Sequence, residues 1–243
     1  MKGTTLMTCN EIISQLQAMS SEKHKANVIK LGIPEENSIG VSTTEIRALA
    51  KKIEKSQDLA YELWQSGYHE ARLLAVLLFD KKKTTLEEVD TLMSDVVSWD
   101  LCDHLCKNLI VKMKDFDQLI TLWITSQHTY KKRGAFTLMA SAAIHQKDIT
   151  AETLDAYLAL IQEHSQDEQD HVKKSVSWAL REIGKHDFDT NEKALLLAHN
   201  LKENGNKAQV WIGKDAIKEL ENLVKVPGRT RLISADSKMG REQ

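Results

Sequence analysis

An aromatic ring and a carboxylate stand one helical turn apart in the stretch SWDLCDH, residues 98–104. Trp99 and Asp103 are separated by four positions, so on a helix their side chains lie one above the other. A carboxylate beside an aromatic wall can stabilise a positive charge that develops during a reaction. We therefore predict Asp103 as a candidate catalytic group; the alternative is that Asp103, like Asp100, only complements the positive end of the helix.

Trp178 lies on the polar side of a segment with the pattern of an amphipathic helix, SVSWALREIGKHD at residues 175–187. At about 100° per residue, the apolar side chains gather on the opposite face. That face contains Val172, Val176, Leu180 and Ile183. Trp178 lies among cations, where a ring could stack on a nucleic-acid base while Lys and Arg side chains bind phosphates. Packing against a neighbouring helix is the alternative.

The pattern around Trp178 recurs around Trp211, 33 residues later. WALREIGK and WIGKDAIK both place a base three, an acid four and a lysine seven positions after the tryptophan. A degraded copy, WDLCDHLC, begins at Trp99 and retains the acid. A period of about 33 to 45 residues with two helices per repeat is typical of HEAT-type α-solenoids, in which one helix of each hairpin lines a concave surface.

A further group of cations occurs in YKKRGAF, residues 130–136. Arg133 begins an apolar run, so we expect its guanidinium to be anchored at a wall and directed into a groove. Its forked donors would suit a phosphate there. Lys131 and Lys132 alone would form an ordinary solvated surface.

The cysteines and histidines do not have the spacing of a metal site. Cys102, His104 and Cys106 share one helical segment, but His104 points away from the two thiols and a second ligand pair is missing. We also find no Gly-rich phosphate loop and no defensible Ser/His/Asp arrangement. We therefore predict no metal and no cofactor.

The composition indicates an ordinary soluble helical protein. It is 42% hydrophobic and 28% charged, and it contains only two prolines and ten glycines, which disfavours a turn-rich β protein. The net charge of -2 provides no overall field to attract nucleic acid, so such a role would need cations gathered on one face. Three cysteines, no membrane-length apolar run and no signal-peptide core predict a cytoplasmic, bacterial-type protein, associated with the nucleoid when on DNA.

Helical periodicity with plausible caps continues along the chain. Ser42 with Glu45 and Thr85 with Glu88 have the capping-box spacing, and Gly67 and Gly205 occupy positions typical of helix ends. The predicted helices span residues 9–19, 22–31, 43–55, 57–66, 69–81, 85–97, 99–113, 115–125, 129–145, 151–164, 168–185, 190–204 and 207–223.

These elements predict an all-α, right-handed α-solenoid of HEAT-like helical hairpins with a concave basic face. We expect one domain over residues 1–224 and a flexible, aperiodic tail over residues 225–243. We expect the protein to be a monomer.

The chain resembles the AlkD-like DNA alkylation repair family, which are HEAT-like-repeat DNA glycosylases. The resemblance spans roughly residues 25–225 and rests on stretches that occur in the family's order. These are SIGVSTTEIRALAKKI, HEARLLAVLLFD, SWDLCD, KRGAFTLMASAAIH, VKKSVSWALREIGKHD and WIGKDAIKEL. WDLCD together with WALREIGK is more specific than either motif alone.

The resemblance implies hydrolysis of the N-glycosidic bond of cationic N3- or N7-alkylated purines in double-stranded DNA. Matched by motif, Asp103 corresponds to the family's catalytic carboxylate, Trp99 and Trp178 to its aromatic residues beside the lesion, and Arg133 to its DNA-backbone arginine. Together with the helix faces above, this predicts the following DNA-binding residues: Arg133, Lys132, Lys174, Arg181, Lys185, Trp211 and Lys214.

Two other functions remain open. A binder of damaged or branched DNA would use the same groove without releasing a base, and a protein-interaction scaffold would suit the net charge of -2. The family's groove also uses an aromatic residue near the N-terminus, whereas the first aromatic residue of this chain is Tyr61.

Overall fold

The computed structural model of the chain describes residues 7–242, and α-helices make up most of that range. In chain order the helices are α1 (Cys9–Ala18), α2 (Glu22–Lys30), α3 (Thr43–Ala50), α4 (Gln57–Gln65), α5 (His69–Leu78), α6 (Leu86–Ser94), α7 (Trp99–Asn108), α8 (Asp117–Trp123), α9 (Thr129–His145), α10 (Ala151–His164), α11 (Asp170–Gly184), α12 (Phe188–Asn204) and α13 (Lys207–Leu220). Two 3₁₀ turns, Glu35–Asn37 and Ile110–Lys112, and two short strands, β1 (Leu223–Val224) and β2 (Ile233–Ser234), are also present. The predicted all-α class is confirmed, and each predicted helix is found among the described residues.

The predicted capping boxes are confirmed, but several helices end earlier than periodicity predicts, two of them by five residues. Ser42 and Thr85 each cap a helix together with the Glu three residues later. α3 ends at Ala50 rather than at residue 55, and α7 ends at Asn108 rather than at residue 113. After α7, three consecutive apolar residues, 109–111, are all buried, at 6% exposure or less. The chain continues there as the 3₁₀ turn Ile110–Lys112 instead of extending the α-helix.

The described residues divide into two compact units, one up to residue 116 and the other from residue 117 onward. In the first unit α5 packs against α3, α4 and α7. In the second unit α11 packs between α9 and α13, while α12 packs against α13 and against α10. Helices α9 and α13 therefore both pack against α11, and these three helices carry the predicted DNA-binding residues except Lys185, which directly follows α11.

Contacts between alternate helices of the first unit recur at one sequence separation. His69 of α5 bonds Asp100 of α7, and the Leu73 carbonyl of α5 bonds His104 of α7; the residues of each pair are 31 positions apart. Trp64 of α4 bonds Asp95, again 31 positions later. The later residue of α5 contacts the later residue of α7, so the two helices run parallel. Alternate helices of a hairpin repeat must have this orientation.

The second unit has a longer separation. Arg133 of α9 bonds the carbonyl of His171 on α11, and Ser177 of α11 bonds Asp215 of α13, each 38 residues apart. Trp178 and Trp211 are only 33 residues apart, so they are not equivalent positions in this packing register. The packing neighbour of Trp211 is Lys173, whose Nζ lies 5.0 Å from the centre of the indole ring.

The amphipathic prediction for α11 is confirmed in its apolar half. Val172, Val176, Leu180 and Ile183 are fully buried. Trp178, on the other side of the helix, is half-buried. The helix therefore has an apolar face that is buried in the core and a polar face that includes the half-buried Trp178.

The segment after α13 differs from the predicted flexible tail. Leu223 pairs with Ser234 and Val224 with Ile233 in a short antiparallel hairpin. The Leu232 N–H donates to the Lys185 carbonyl at 2.9 Å, and the Leu232 side chain is 2% exposed. Two-residue strands are too short to produce a periodic sequence pattern, which is why the sequence did not indicate them.

Helices α12 and α13 approach each other closely at Gly213. A Cβ atom there would lie 2.4 Å from the Ala198 carbonyl oxygen and 2.7 Å from the Lys202 backbone nitrogen. We expect Gly213→Ala to lower the free energy of unfolding by about 1–3 kcal/mol, because backbone atoms would have to move apart. Helix propensity alone would give the opposite sign. Urea unfolding measures the change, and an equal or higher stability would contradict the close approach.

Within the described residues, no helix is both long enough and apolar enough to cross a membrane.

Candidate functional site

Helix α7 places Trp99 and Asp103 one turn apart, as their spacing predicts. Trp99 begins the helix and is 42% exposed, whereas Asp103 is 7% exposed. A mostly buried carboxylate beside a partly open ring acts in a medium of lower dielectric constant than water, so its effect on a nearby positive charge is strengthened. The catalytic role of Asp103 stays a prediction.

Asp100, the other acid of this motif, has a structural partner. Its Oδ2 lies 2.8 Å from Nε2 of His69, which is 2% exposed. Burial raises the pKa of Asp100, but polar interactions, chiefly the hydrogen bond and the charge of His69, outweigh burial and hold it below its ordinary value. Asp100 thus ties α7 to α5, an interaction that the sequence did not indicate because His69 lies 31 residues away.

His104 is a buried neutral imidazole, and its partners define its tautomer. Nε2 lies 2.9 Å from the Leu73 carbonyl oxygen, which can only accept, so Nε2 carries the proton. Nδ1 accepts from the Asn108 amide at 3.1 Å. Burial, reinforced by the charge of Arg47, lowers the pKa of His104 to about 4. Both ring nitrogens are thus occupied.

Stability should therefore depend on pH through His104. The unfolded chain takes up this proton near pH 6.5 and the folded protein only near pH 4, so the stability contributed by the neutral ring is complete above pH 6.5 and falls as pH drops. Relative to His104→Gln, the wild-type protein should lose about 2 kcal/mol of unfolding free energy between pH 7 and pH 5. Urea unfolding of both proteins at both pH values measures this loss. Parallel curves would show that His104 is not held neutral.

The two cysteines of α7 are small packing residues. The side chains of Cys102 and Cys106 are 0% exposed. Among residues 7–242, no cluster of three or more His, Cys, Asp or Glu side chains could hold a metal ion.

A buried glutamate that the sequence did not single out fixes the loop before α3. Glu70 of α5 is 0% exposed. Its carboxylate accepts from the backbone N–H groups of Ile39, Gly40 and Val41 at 3.0, 2.5 and 3.3 Å. Gly40 has φ +96, and a Cβ there would lie 2.7 Å from the Lys25 backbone nitrogen. The only sequence signal was the glutamate at the second position of the otherwise largely apolar helix HEARLLAVLL.

In the second unit, the predicted DNA-binding residues of α9 already have protein partners. Arg133 is 7% exposed, and its Nη1 donates to the His171 carbonyl at 2.6 Å. Lys132 Nζ lies 2.7 Å from Asp167 Oδ2. Gly134, Ala135 and Phe136 beside it are also buried, and a phosphate-binding role of Arg133 stays a prediction.

The cations of α11 are paired with acids of α13 and of α11 itself. Arg181 lies 2.5 Å from Glu219 and 3.5 Å from Asp215, and Lys185 lies 2.6 Å from Glu219. Lys185 also contacts Glu182 at 2.7 Å. The sequence signal for this pairing was the acid four positions after each tryptophan, namely Glu182 and Asp215.

The remaining predicted residues lie at the surface of the same helices. Lys174 is exposed and lies 3.7 Å from Asp170 one turn earlier. Lys214 of α13 is exposed, and Trp211 is 37% exposed beneath Lys173. The surface of α11 and α13 thus combines aromatic rings with cations, most of which have a carboxylate within 4 Å.

Comparisons with known proteins agree on the family and the fold. The family model of DNA alkylation repair enzymes matches residues 12–220. One solved structure is 19% identical, with 97% of this chain and 94% of that chain covered and a TM-score of 0.73. It represents a family of proteins related to the HEAT-like repeat DNA glycosylases with affinity for branched DNA structures. No curated protein sequence matches. The predicted HEAT-like helical fold is therefore confirmed.

Proposed function

Because the chain belongs to the DNA alkylation repair enzyme family, we propose that it binds double-stranded DNA and releases cationic N3- or N7-alkylated purines by hydrolysis of the N-glycosidic bond. The observation that supports this chemistry is a pair of side chains on α7. The buried carboxylate of Asp103 lies one helical turn after the exposed indole ring of Trp99.

One carboxylate suffices for such a reaction. An N3- or N7-alkylated purine is already positively charged, so it leaves as a neutral base without a general acid. The bond from C1′ to the purine nitrogen breaks with both electrons going to the base, and the sugar acquires oxocarbenium character. Asp103 would stabilise this positive charge or orient the water whose oxygen bonds to C1′ and whose proton is lost. Trp99 would hold the cationic base by cation–π attraction.

The helices α9, α11 and α13 would bind the phosphates. Arg133 supplies an anchored guanidinium, while Lys174 and Lys214 are exposed cations on neighbouring helices. Arg181 and Lys185 are already paired with Glu219. They would contact a phosphate only by releasing this carboxylate or by binding the phosphate and the carboxylate together. The electrostatic part of binding should then be smaller than the number of cations suggests.

A second candidate is a binder of damaged or branched DNA that performs no chemistry. Two observations favour it: the ion pairs that occupy the cations of α11, and the affinity for branched DNA described for the relative of similar fold. Aromatic rings and surface cations without base release would serve this function equally well.

Incubation of the purified protein with DNA carrying N7- and N3-methylpurines separates the two candidates. Free base above the spontaneous rate supports the glycosylase. Salt-dependent binding of linear or branched DNA without free base supports the binder. Absence of both would contradict a DNA function and favour the protein-interaction scaffold.

A further inference from the structure

Four lysines line an open pocket in the first unit, outside the residues considered so far. The pocket has a volume of about 470 Å³ and lies between the α5–α6 connection and the 3₁₀ turn after α7. Its lining includes Lys81, Lys82, Lys112 and Lys114, all of them exposed. Cations from two separate segments therefore converge on one space.

The positive charge of this pocket is poorly compensated. Asp115 is the acid in its lining, and it approaches Lys114 only to 3.9 Å between two well-exposed side chains. Burial lowers the pKa of Lys112, and the nearby cations Lys55, Lys81 and Arg47 lower it further. The cations of the pocket thus repel one another, and a bound anion would relieve that repulsion.

The connection that carries Lys81 and Lys82 is held in place before any ligand binds. Gln57 of α4 bridges it, accepting from the Asp80 N–H at 3.1 Å and donating to Thr84 Oγ1 at 2.9 Å. Thr84 in turn donates to the Asp80 carbonyl at 2.9 Å. A fixed connection keeps the lysine stems near the pocket, so less conformational entropy is lost when an anion binds.

The lining indicates recognition of a phosphate chain rather than of bases. Besides the lysines it consists of Thr84, Thr85, Leu86, Met113 and Asp115, without an aromatic ring on which a base could stack. Lysine is a compact point charge that binds phosphate without demanding one geometry. A pocket of about 470 Å³ that is lined by several such charges suits successive phosphates better than a single small anion.

We infer that the pocket of Lys81, Lys82, Lys112 and Lys114 binds phosphate groups supplied by the DNA backbone. This inference rests on the DNA-binding part of the proposed function and not on base release. It gives the first unit a phosphate-binding site of its own, whereas the sequence predicted phosphate-binding residues only in the region of α9, α11 and α13.

The test compares Lys81→Gln/Lys112→Gln with the charge-preserving Lys81→Arg/Lys112→Arg and with Lys23→Gln/Lys30→Gln, which removes two exposed charges from α2. Binding of linear duplex and of three-way-junction DNA is measured as a function of salt. The Gln pair in the pocket should reduce the slope of log Kobs against log salt by about 2, since each lost phosphate contact accounts for about 0.9. The Arg pair and the α2 pair should retain the wild-type slope. Thermal unfolding should show no loss of stability in the Gln pair, because the substitution relieves repulsion.

Two outcomes overturn the inference. One is an unchanged slope in the pocket Gln pair while the wild-type protein binds DNA. The other is binding of inorganic tripolyphosphate that depends on Lys81 and Lys112 but does not compete with the binding of DNA. That result would identify a free anion as the ligand of the pocket. Failure of the wild-type protein to bind DNA would overturn the proposed function together with this inference, whereas failure to release a base would leave the inference intact.

Discussion

Asp103→Asn should slow the release of alkylated purine by about 10²- to 10³-fold, the effect typical of losing one electrostatic group aimed at a developing charge. The carboxylate is 7% exposed, so little water is available to replace the charge that the substitution removes. Asparagine has nearly the same size and can still form hydrogen bonds. The loss should therefore appear in the single-turnover rate with little change in DNA affinity.

The matched control is Asp58→Asn, the same chemical change at an exposed position of α4 in the same unit. It should retain the wild-type rate of base release. Thermal unfolding of Asp103→Asn checks that the helix bundle is intact. If purified Asp103→Asn released alkylated base as fast as the wild-type protein, Asp103 would have no catalytic role.

Glu70→Gln should lower the free energy of unfolding by about 2–4 kcal/mol, the range expected when a buried charged acceptor no longer satisfies its donors. Glu70 accepts from three consecutive backbone N–H groups in the loop before α3. A glutamine presents one acceptor oxygen and an NH₂ group, which would face N–H donors. At least one buried donor would then lose its partner.

Glu45→Gln is the control for this substitution. Glu45 also accepts a backbone N–H, that of Ser42, but at an exposed helix end where water can replace it. Its effect in urea unfolding should be much smaller than that of Glu70→Gln. Equal effects of the two substitutions would show that the contacts of Glu70 do not stabilise the loop.

Local features of the fold could be predicted from the sequence. The apolar face of α11 and the boxes at Ser42 and Thr85 depend on residues within one or two helical turns of one another. Such patterns reflect the geometry of a single helix, and the structure confirms them. The spacing of Trp99 and Asp103 on α7 belongs to the same class.

Contacts between repeats could not be predicted in this way. Glu70 and its loop partners, His69 with Asp100, and Arg181 with Glu219 are separated by 29 to 38 residues, and only the packing register brings them together. The recurrence of tryptophan 33 residues apart indicated a repeat, yet the register of the second unit is 38. A motif can recur in the sequence without occupying equivalent places in the stack.

The two units, with separations of 31 and 38 residues, should also differ in local stability. Helices α9 to α13 are 14 to 17 residues long, whereas α1 to α7 are 8 to 10 residues long. In a repeat array each layer contributes its own free energy and that of its neighbour contacts, so shorter layers open more often at equilibrium. We therefore expect local unfolding to begin in the first unit, which is the unit that contains Asp103.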